Sequence, residues 1–203
     1  MIKNIIFDFG DIFINLDKMA TFKAMAELGV SNITEEMMQI YHQYEKGFMS
    51  TEDFIKFFHN KFNIPKTDLV NAWNAVLLDF PKERLSFLQE LSASKKYRLF
   101  LLSNTNDLHI KWVQNSLGVQ FYNDFKNAFE QFYLSHEINF RKPDTNIYEF
   151  VLNENSLKAE ETLFVDDLEE NTNSASQLGI HTWNLTPGVD DVTELFEKNK
   201  QLL

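Results

Sequence analysis

Several polar residues stand where apolar runs stop. Ile5-Ile6-Phe7 runs into Asp8 and then Phe9-Gly10-Asp11, Leu99-Phe100-Leu101-Leu102 runs into Ser103-Asn104, and Thr162-Leu163-Phe164-Val165 runs into Asp166-Asp167. Short apolar runs bounded by turn residues read as strands buried on both faces of a parallel sheet. Ligands of such sheets gather at the carboxyl ends of the strands. The spacing therefore predicts that Asp8, Ser103, Asn104, Asp166 and Asp167 share one edge, joined by Lys142 from the loop Arg141-Lys142-Pro143. Three carboxylates suit a hard, oxygen-seeking cation such as Mg²⁺. A hydroxyl, an amide and an ammonium suit phosphoryl oxygens. Taken singly, each piece has a plainer reading: Asp8 as a turn former, Ser103-Asn104 as a helix cap, Lys142 as a solvated loop charge, Asp166-Asp167 as the entry to a helix. Their coincidence in one order favours chemistry.

The elements that must position these residues fall into two kinds. Behind the first strand, Lys18 to about Phe80 shows helical spacing and no strand run. One helix is expected through Ala20, Phe22, Met25 and Leu28 to Gly29, and a second from Thr34 through Met37, Ile40, Tyr41 and Tyr44 to about Gly47. Ser50-Thr51-Glu52-Asp53 has the form of a capping box and opens a third, with Phe54, Phe57 and Phe58 on one face. A fourth follows Pro65. Placed directly after the strand that carries Asp8, this insert would sit over it as a lid. From Glu83 onward helix and strand alternate, the sign of a doubly wound parallel sheet. Ser135 to Pro143 reads as a loop, and Val189 to Lys198 as a terminal helix. The fold class expected is α/β, with residues 1–15 and 82–203 as a Rossmann-like core and residues 16–81 as a small all-helical cap.

Composition narrows the partners. The 203 residues are 44% hydrophobic, enough for a core. A formal charge of −11 disfavours nucleic acid and anionic membrane surfaces and favours a divalent cation. No cysteine is present, which removes disulfides and thiolate zinc sites. Neither a signal-peptide pattern nor a membrane-length apolar run is found, so a soluble cytoplasmic protein is expected. The 20 phenylalanines read mostly as core, and the five histidines as incidental.

The order of the strand-end residues resembles the haloacid dehalogenase superfamily, through nearly the whole chain. D-F-G-D-I stands for the first motif, Asp-x-Asp-Gly-Thr; L-L-S-N-T for the second; the Lys of R-K-P-D for the third; and F-V-D-D-L-E-E-N for the fourth, acidic one. The strings L-S-N-T-N-D-L-H, Y-L-S-H-E-I and Y-E-K-G-F-M-S are similar to the branch that contains bacterial glucose 1-phosphate phosphatases. The resemblance implies an Mg²⁺-dependent phosphatase of a small phosphorylated metabolite, such as a sugar phosphate. Asp8 would be the nucleophile and form an aspartyl-phosphate. Mg²⁺ would be held by Asp8, Asp167 and the carbonyl of Gly10, with Asp166 in or beside the shell. Ser103, the Asn104 amide and Lys142 would bind phosphoryl oxygens, and Asn171 would support the metal loop. The family's second aspartate falls on Gly10, with Asp11 one place on, so the acid for the leaving group is either absent or supplied by Asp11. Substrate choice would rest with the insert, around Tyr44, Glu45, Lys46 and Trp73. Two other readings stay open: a catalytically silent phospho-ligand binding protein that lost the acid, and a metal-independent 2-haloacid dehalogenase, which would leave Asp166-Asp167 unexplained.

Overall fold

The computed structural model describes residues 1–203. Asn4–Phe7 form β1, buried throughout. Four helices follow: α1 (Ala20–Glu27), α2 (Glu35–Glu45), α3 (Thr51–Phe62) and α4 (Lys66–Asn74). The chain then alternates through α5 (Lys82–Ser94), β2 (Arg98–Ser103), α6 (Asp107–Leu117), α7 (Val119–Lys126), β3 (Gln131–Leu134), α8 (Ser135–Ile138), α9 (Thr145–Glu154), β4 (Thr162–Asp166), α10 (Glu169–Ser176), β5 (His181–Asn184) and α11 (Leu195–Lys198). The five strands make one parallel sheet in the order β3-β2-β1-β4-β5. β1 lies at its centre, and Phe7 pairs with Leu101 on one side and Val165 on the other. The chain therefore leaves the sheet at Asp8, Ser103 and Asp166 side by side.

Period-two alternation gives the sheet two apolar faces. Ile5, Phe7, Leu99, Leu101, Leu163 and Val165 pack with Phe13, Phe80, Phe125 and Phe129 on one face. Ile6, Phe100, Leu102 and Phe164 meet Ile147, Tyr148 and Val151 of α9 on the other. Ten of the 20 phenylalanines are buried, and Phe22, Phe48 and Phe196 are exposed; in the core, Phe125 lies 5.2 Å from Phe9 and 5.1 Å from Phe13, ring centre to ring centre. No helix is long and apolar enough to cross a membrane.

The helical insert has its own core of Met37, Tyr44, Phe54, Phe58, Leu69 and Trp73, which Leu108 of α6 joins. Its helices start where the sequence signals them. Thr34 Oγ1 accepts from the Met37 N–H, and Ser50 Oγ from the Asp53 N–H. The two ends of the insert run antiparallel: Asn15 N–H donates to Asp79 O, Leu78 N–H to Asn15 O, and Asp17 N–H to Val76 O. Arg84, buried, braces this neck through Asp191, the carbonyl of Phe13 and Asn15 Oδ1.

Three segments differ from the sequence expectation. Val119–Lys126, which had no assignment, is α7, turned off α6 by Gly118 at φ +91° and held by buried Tyr122 and Phe125. The expected loop after β3 begins with the single turn α8. The terminal helix is broken into a 3₁₀ turn, Val192–Glu194, which Asp191 caps, followed by the short α11.

Gly47, where α2 ends against α8, needs to be glycine twice over. Its φ is +72°, and a Cβ there would fall 1.9 Å from the carbonyl oxygen of His136. Gly47→Ala should therefore lower stability by more than the roughly 1–2 kcal/mol of a left-handed alanine. Gly29→Ala, at φ +92° with open space around it, should lose only that much. Urea unfolding of the two variants makes the comparison.

Candidate active site

The edge formed by β1, β2 and β4 carries a chain of ion pairs with a buried ammonium at its centre. Lys142 Nζ lies 2.7 Å from Asp8 Oδ1 and 2.6 Å from Asp166 Oδ2, with the lysine side chain 1% exposed. Burial alone pulls a lysine down, but Asp166 and then Asp8 outweigh it and hold the ammonium above its ordinary range. The loop that presents Lys142 is fixed by Asn104, whose side chain donates to the Lys142 carbonyl and accepts from the Lys142 N–H, both at 2.8 Å. Asp166 is further held by the Leu168 N–H at 2.8 Å and by Asn171 Nδ2 at 3.0 and 3.1 Å.

A second ammonium, Lys18 from the start of the insert, lies 2.5 Å from Asp167 Oδ2 and 3.1 Å from Asp11 Oδ2. Carboxylate oxygens of Asp8, Asp166 and Asp167 come within 4.8 Å of one another. With all groups ionised, four carboxylates face two ammoniums, an excess equal to the charge of one divalent cation. Burial pushes the Asp8 carboxyl up to about 7 against the pull of Lys142, with Asp166 and Asp167 adding to the rise. Burial likewise raises Asp167 against the pull of Lys18. The donor set fits a hard cation on two further counts. The carbonyl of Gly10 accepts no main-chain hydrogen bond, and the buried Asn171 Oδ1 has no donor, as suits an oxygen beside a hydrated ion.

Asp8, Gly10, Ser103, Asn104, Lys142, Asp167 and Asn171 line one cavity of about 240 Å³ between the sheet edge and the insert. Asp166 stands behind Lys142, fully buried. Ser103 is free to face a ligand, whereas the side chain of Asn104 is spent on Lys142 and leaves its main-chain N–H as the donor. The N–H groups of Phe9, Gly10 and Asn104 make no main-chain hydrogen bond. Asp11 does not line the cavity. Its residue sits at φ +54°, Oδ1 accepts from the Leu16 N–H at 3.0 Å, and Oδ2 faces Lys18. A Cβ on Gly10 would lie 2.8 Å from Leu16 Cδ1 and 3.9 Å from Asp8 Oδ2, so Leu16 fills the room that an acid at that position would use.

Of the four insert residues expected to face substrate, only Glu45 lines this cavity. It is buried, bonded to Arg141 Nε at 2.7 Å and to the Tyr41 hydroxyl at 2.6 Å. Tyr44 turns into the insert core instead, stacked on Phe54 at 4.3 Å with its hydroxyl on Thr51. Lys46 reaches out to Asp144, and Trp73 lines a separate apolar pocket. Lys18, Tyr41, His109 and Arg141 also line the cavity; His109 and Arg141 fall inside the strings L-S-N-T-N-D-L-H and R-K-P-D without having been given a role, and Lys18 and Tyr41 lie in none. The i, i+4 spacing of Tyr41 and Glu45 was the available signal. His109, read as incidental, is a wall: burial lowers its pKa to about 4, so the ring is neutral.

A family model described as haloacid dehalogenase-like hydrolase matches residues 5–185. The chain is 28% identical over 203 residues to the D-ribitol-5-phosphate phosphatase of Bacteroides thetaiotaomicron, covering 96% of this chain and 97% of that one. A haloacid dehalogenase family enzyme of the same organism, crystallised in complex with magnesium and inorganic phosphate, superposes with a TM-score of 0.81 at 34% identity, over 97% of this chain and 100% of the other. A family hydrolase of Porphyromonas gingivalis gives a TM-score of 0.84 at 27% identity, over 100% and 98% of the two chains. The chain belongs to the haloacid dehalogenase-like hydrolases.

The raised Asp8 carboxyl links stability to pH. A carboxyl whose folded pKa lies above its unfolded value stabilises the fold at low pH, and that contribution is lost as pH rises through about 7. His109 works in the opposite direction over the acidic part of the range, so the readout is the difference between wild type and Asp8→Asn. In chelator, the wild type should lose thermal stability relative to Asp8→Asn as pH rises from the ordinary carboxylate range to about 7. A difference that does not change with pH contradicts the assignment.

Proposed function

We propose that this hydrolase is an Mg²⁺-dependent phosphatase of a small phosphorylated metabolite, working through a phosphoryl group carried on Asp8. The observation that carries this reading is the arrangement around Asp8. Lys142 holds Oδ1, the second oxygen is left for phosphorus, and the Ser103 hydroxyl shares the cavity. The unpaired N–H groups of Phe9, Gly10 and Asn104 are at hand for phosphoryl oxygens. Asp8 attacks phosphorus in line, the ester P–O bond breaks, and the leaving oxygen departs with a proton. Water then attacks the phosphorus of the aspartyl-phosphate and returns Asp8 as a carboxylate. Lys142 neutralises charge on Asp8 and on the phosphoryl oxygens it touches. Mg²⁺, held by Asp8, Asp167 and the carbonyl of Gly10, would supply the charge that lets an anionic carboxylate approach an anionic phosphate. Asp166, saturated by Lys142, Leu168 and Asn171, orients the shell rather than entering it. Lys18 would have to leave or share Asp167 for that carboxylate to hold the ion.

The relative's name supports a sugar or polyol phosphate as substrate, and Glu45, Arg141 and Tyr41 offer the polar groups that hydroxyls need. The metal-independent dehalogenase reading has no use for Asp167. Leu16, in the room of the missing acid, makes the leaving oxygen's proton come from solvent, because Asp11 is committed to Leu16 and Lys18.

Two outcomes follow. Asp8→Asn should abolish turnover with the fold retained, and Asp167→Ala should remove activity and Mg²⁺ stimulation together. Full rates after thorough chelation would return the dehalogenase reading. General acid catalysis is worth about 10² to 10⁴ in rate, most for poor leaving groups. Rates across a series of aryl and alkyl phosphates should therefore fall steeply with leaving-group pKa. A flat series that Asp11→Ala steepens would make Asp11 the acid.

A further inference from the structure

Beside the catalytic cavity lies a second pocket of about 300 Å³, set within the insert. Ten of its 13 lining residues are hydrophobic, and the catalytic reading uses none of those that form its depth, Met25, Met37, Phe58 and Trp73. These four are buried and belong to the insert core, whereas Phe22, Ile33 and Met38 of the same lining are exposed, so the pocket is an apolar groove open to solvent whose wall reaches into the insert core. The methionines of its wall, Met25, Met37 and Met38, can adapt to flexible aliphatic shapes. The indole N–H of Trp73 is buried there without an acceptor.

What the pocket takes is fixed by what it adjoins. Lys18, Tyr41, Val76 and His109 line both this pocket and the catalytic cavity. His109 stacks on Trp73 with ring centres 6.0 Å apart and brings its Nε2 to within 3.3 Å of the Trp73 carbonyl. Lys18, Tyr41, Val76 and His109 thus stand between a phosphate resting on Lys142 and the apolar pocket. On the catalytic side the wall is already partly apolar, through Leu16, Val76 and Leu77.

We propose that this pocket receives an apolar portion of the leaving group, so that the substrate class extends to amphiphilic phosphate monoesters with an aliphatic segment distal to the phosphate. The inference rests on the phosphatase reading for the position of the phosphate. It does not need turnover to be tested, because binding alone reports it.

The experiment titrates the Mg²⁺-loaded protein with ethyl-, butyl- and hexylphosphonate, which are not hydrolysed, and measures turnover of the matching alkyl phosphates and of D-ribitol-5-phosphate. Each methylene that enters an apolar pocket contributes about a fourfold gain. Affinity should rise by about that factor per methylene along the series, and kcat/KM should follow. Met37→Gln, in the pocket wall, should flatten the series and leave D-ribitol-5-phosphate turnover unchanged. Ile33→Asp, at the rim and 56% exposed, is a variant that folds without repacking and should weaken hexylphosphonate more than ethylphosphonate. Length-independent affinity in the wild type overturns the proposal, whatever the turnover. If that flat series comes with self-association that Ile33→Asp abolishes, the groove belongs to a second copy of the chain, and the proposal is overturned as well. Rising affinity with no turnover of any ester would support the pocket and remove the phosphatase reading instead.

Discussion

A lysine ammonium that is 1% exposed, wedged between Asp8 and Asp166, is the constraint on which the rest of this structure depends. A charge so deeply buried costs several kcal/mol unless it is paired and hydrogen-bonded, and removing one partner of such a pair strands the other at a cost of about 3–5 kcal/mol. The surrounding chain is arranged to prevent that. Asn104 locks the main chain of Lys142, Asn171 and the Leu168 N–H hold Asp166, and Ser174 Oγ donates to Pro143 O at 2.6 Å. The ends of β1, β2 and β4 are thereby tied to one another by charge as well as by the sheet. Under the proposed mechanism, this rigidity is what would place Asp8 for in-line attack.

Electrostatics also joins the insert to the core. Lys18 belongs to the insert, yet its ammonium rests on Asp11 and Asp167 of the core. Glu45 at the end of α2 reaches Arg141 beside the buried Lys142, and Ser135 Oγ donates to the Glu45 carbonyl at 2.7 Å. The seating of the insert against the core therefore rests in part on ion pairs with the acidic edge.

Much of this was legible in the sequence, and the gaps have physical causes. Apolar runs ending on Asp8, Ser103 and Asp166 identify strands because a strand buried on both faces has no polar residue until it leaves the sheet. The insert's helices were readable from Thr34, Ser50 and Pro65, since caps act over a few residues. What failed was phase and proximity. Tyr41 and Tyr44 lie three apart on one helix, and only the packing of Phe54 and Trp73 decides which turns inward. Lys18 reaches the site because the insert folds back on the sheet, a contact that no local spacing encodes. Arg141 is adjacent to Lys142 in sequence but serves Glu45, because neighbouring loop residues point apart. α7 was missed because the helical spacing of Phe121, Tyr122 and Phe125 starts immediately after the glycine that closes α6.

The central claim, that Asp8 carries the phosphoryl group, is tested most directly by acid-quenching the Mg²⁺-loaded protein during turnover of an aryl phosphate and mapping the phosphorylated peptide by mass spectrometry. The account predicts an acid-stable phosphoryl adduct on the peptide containing Asp8, and none in Asp8→Asn. Undiminished turnover by Asp8→Asn, or a phosphoryl group found on Ser103 instead, would contradict it.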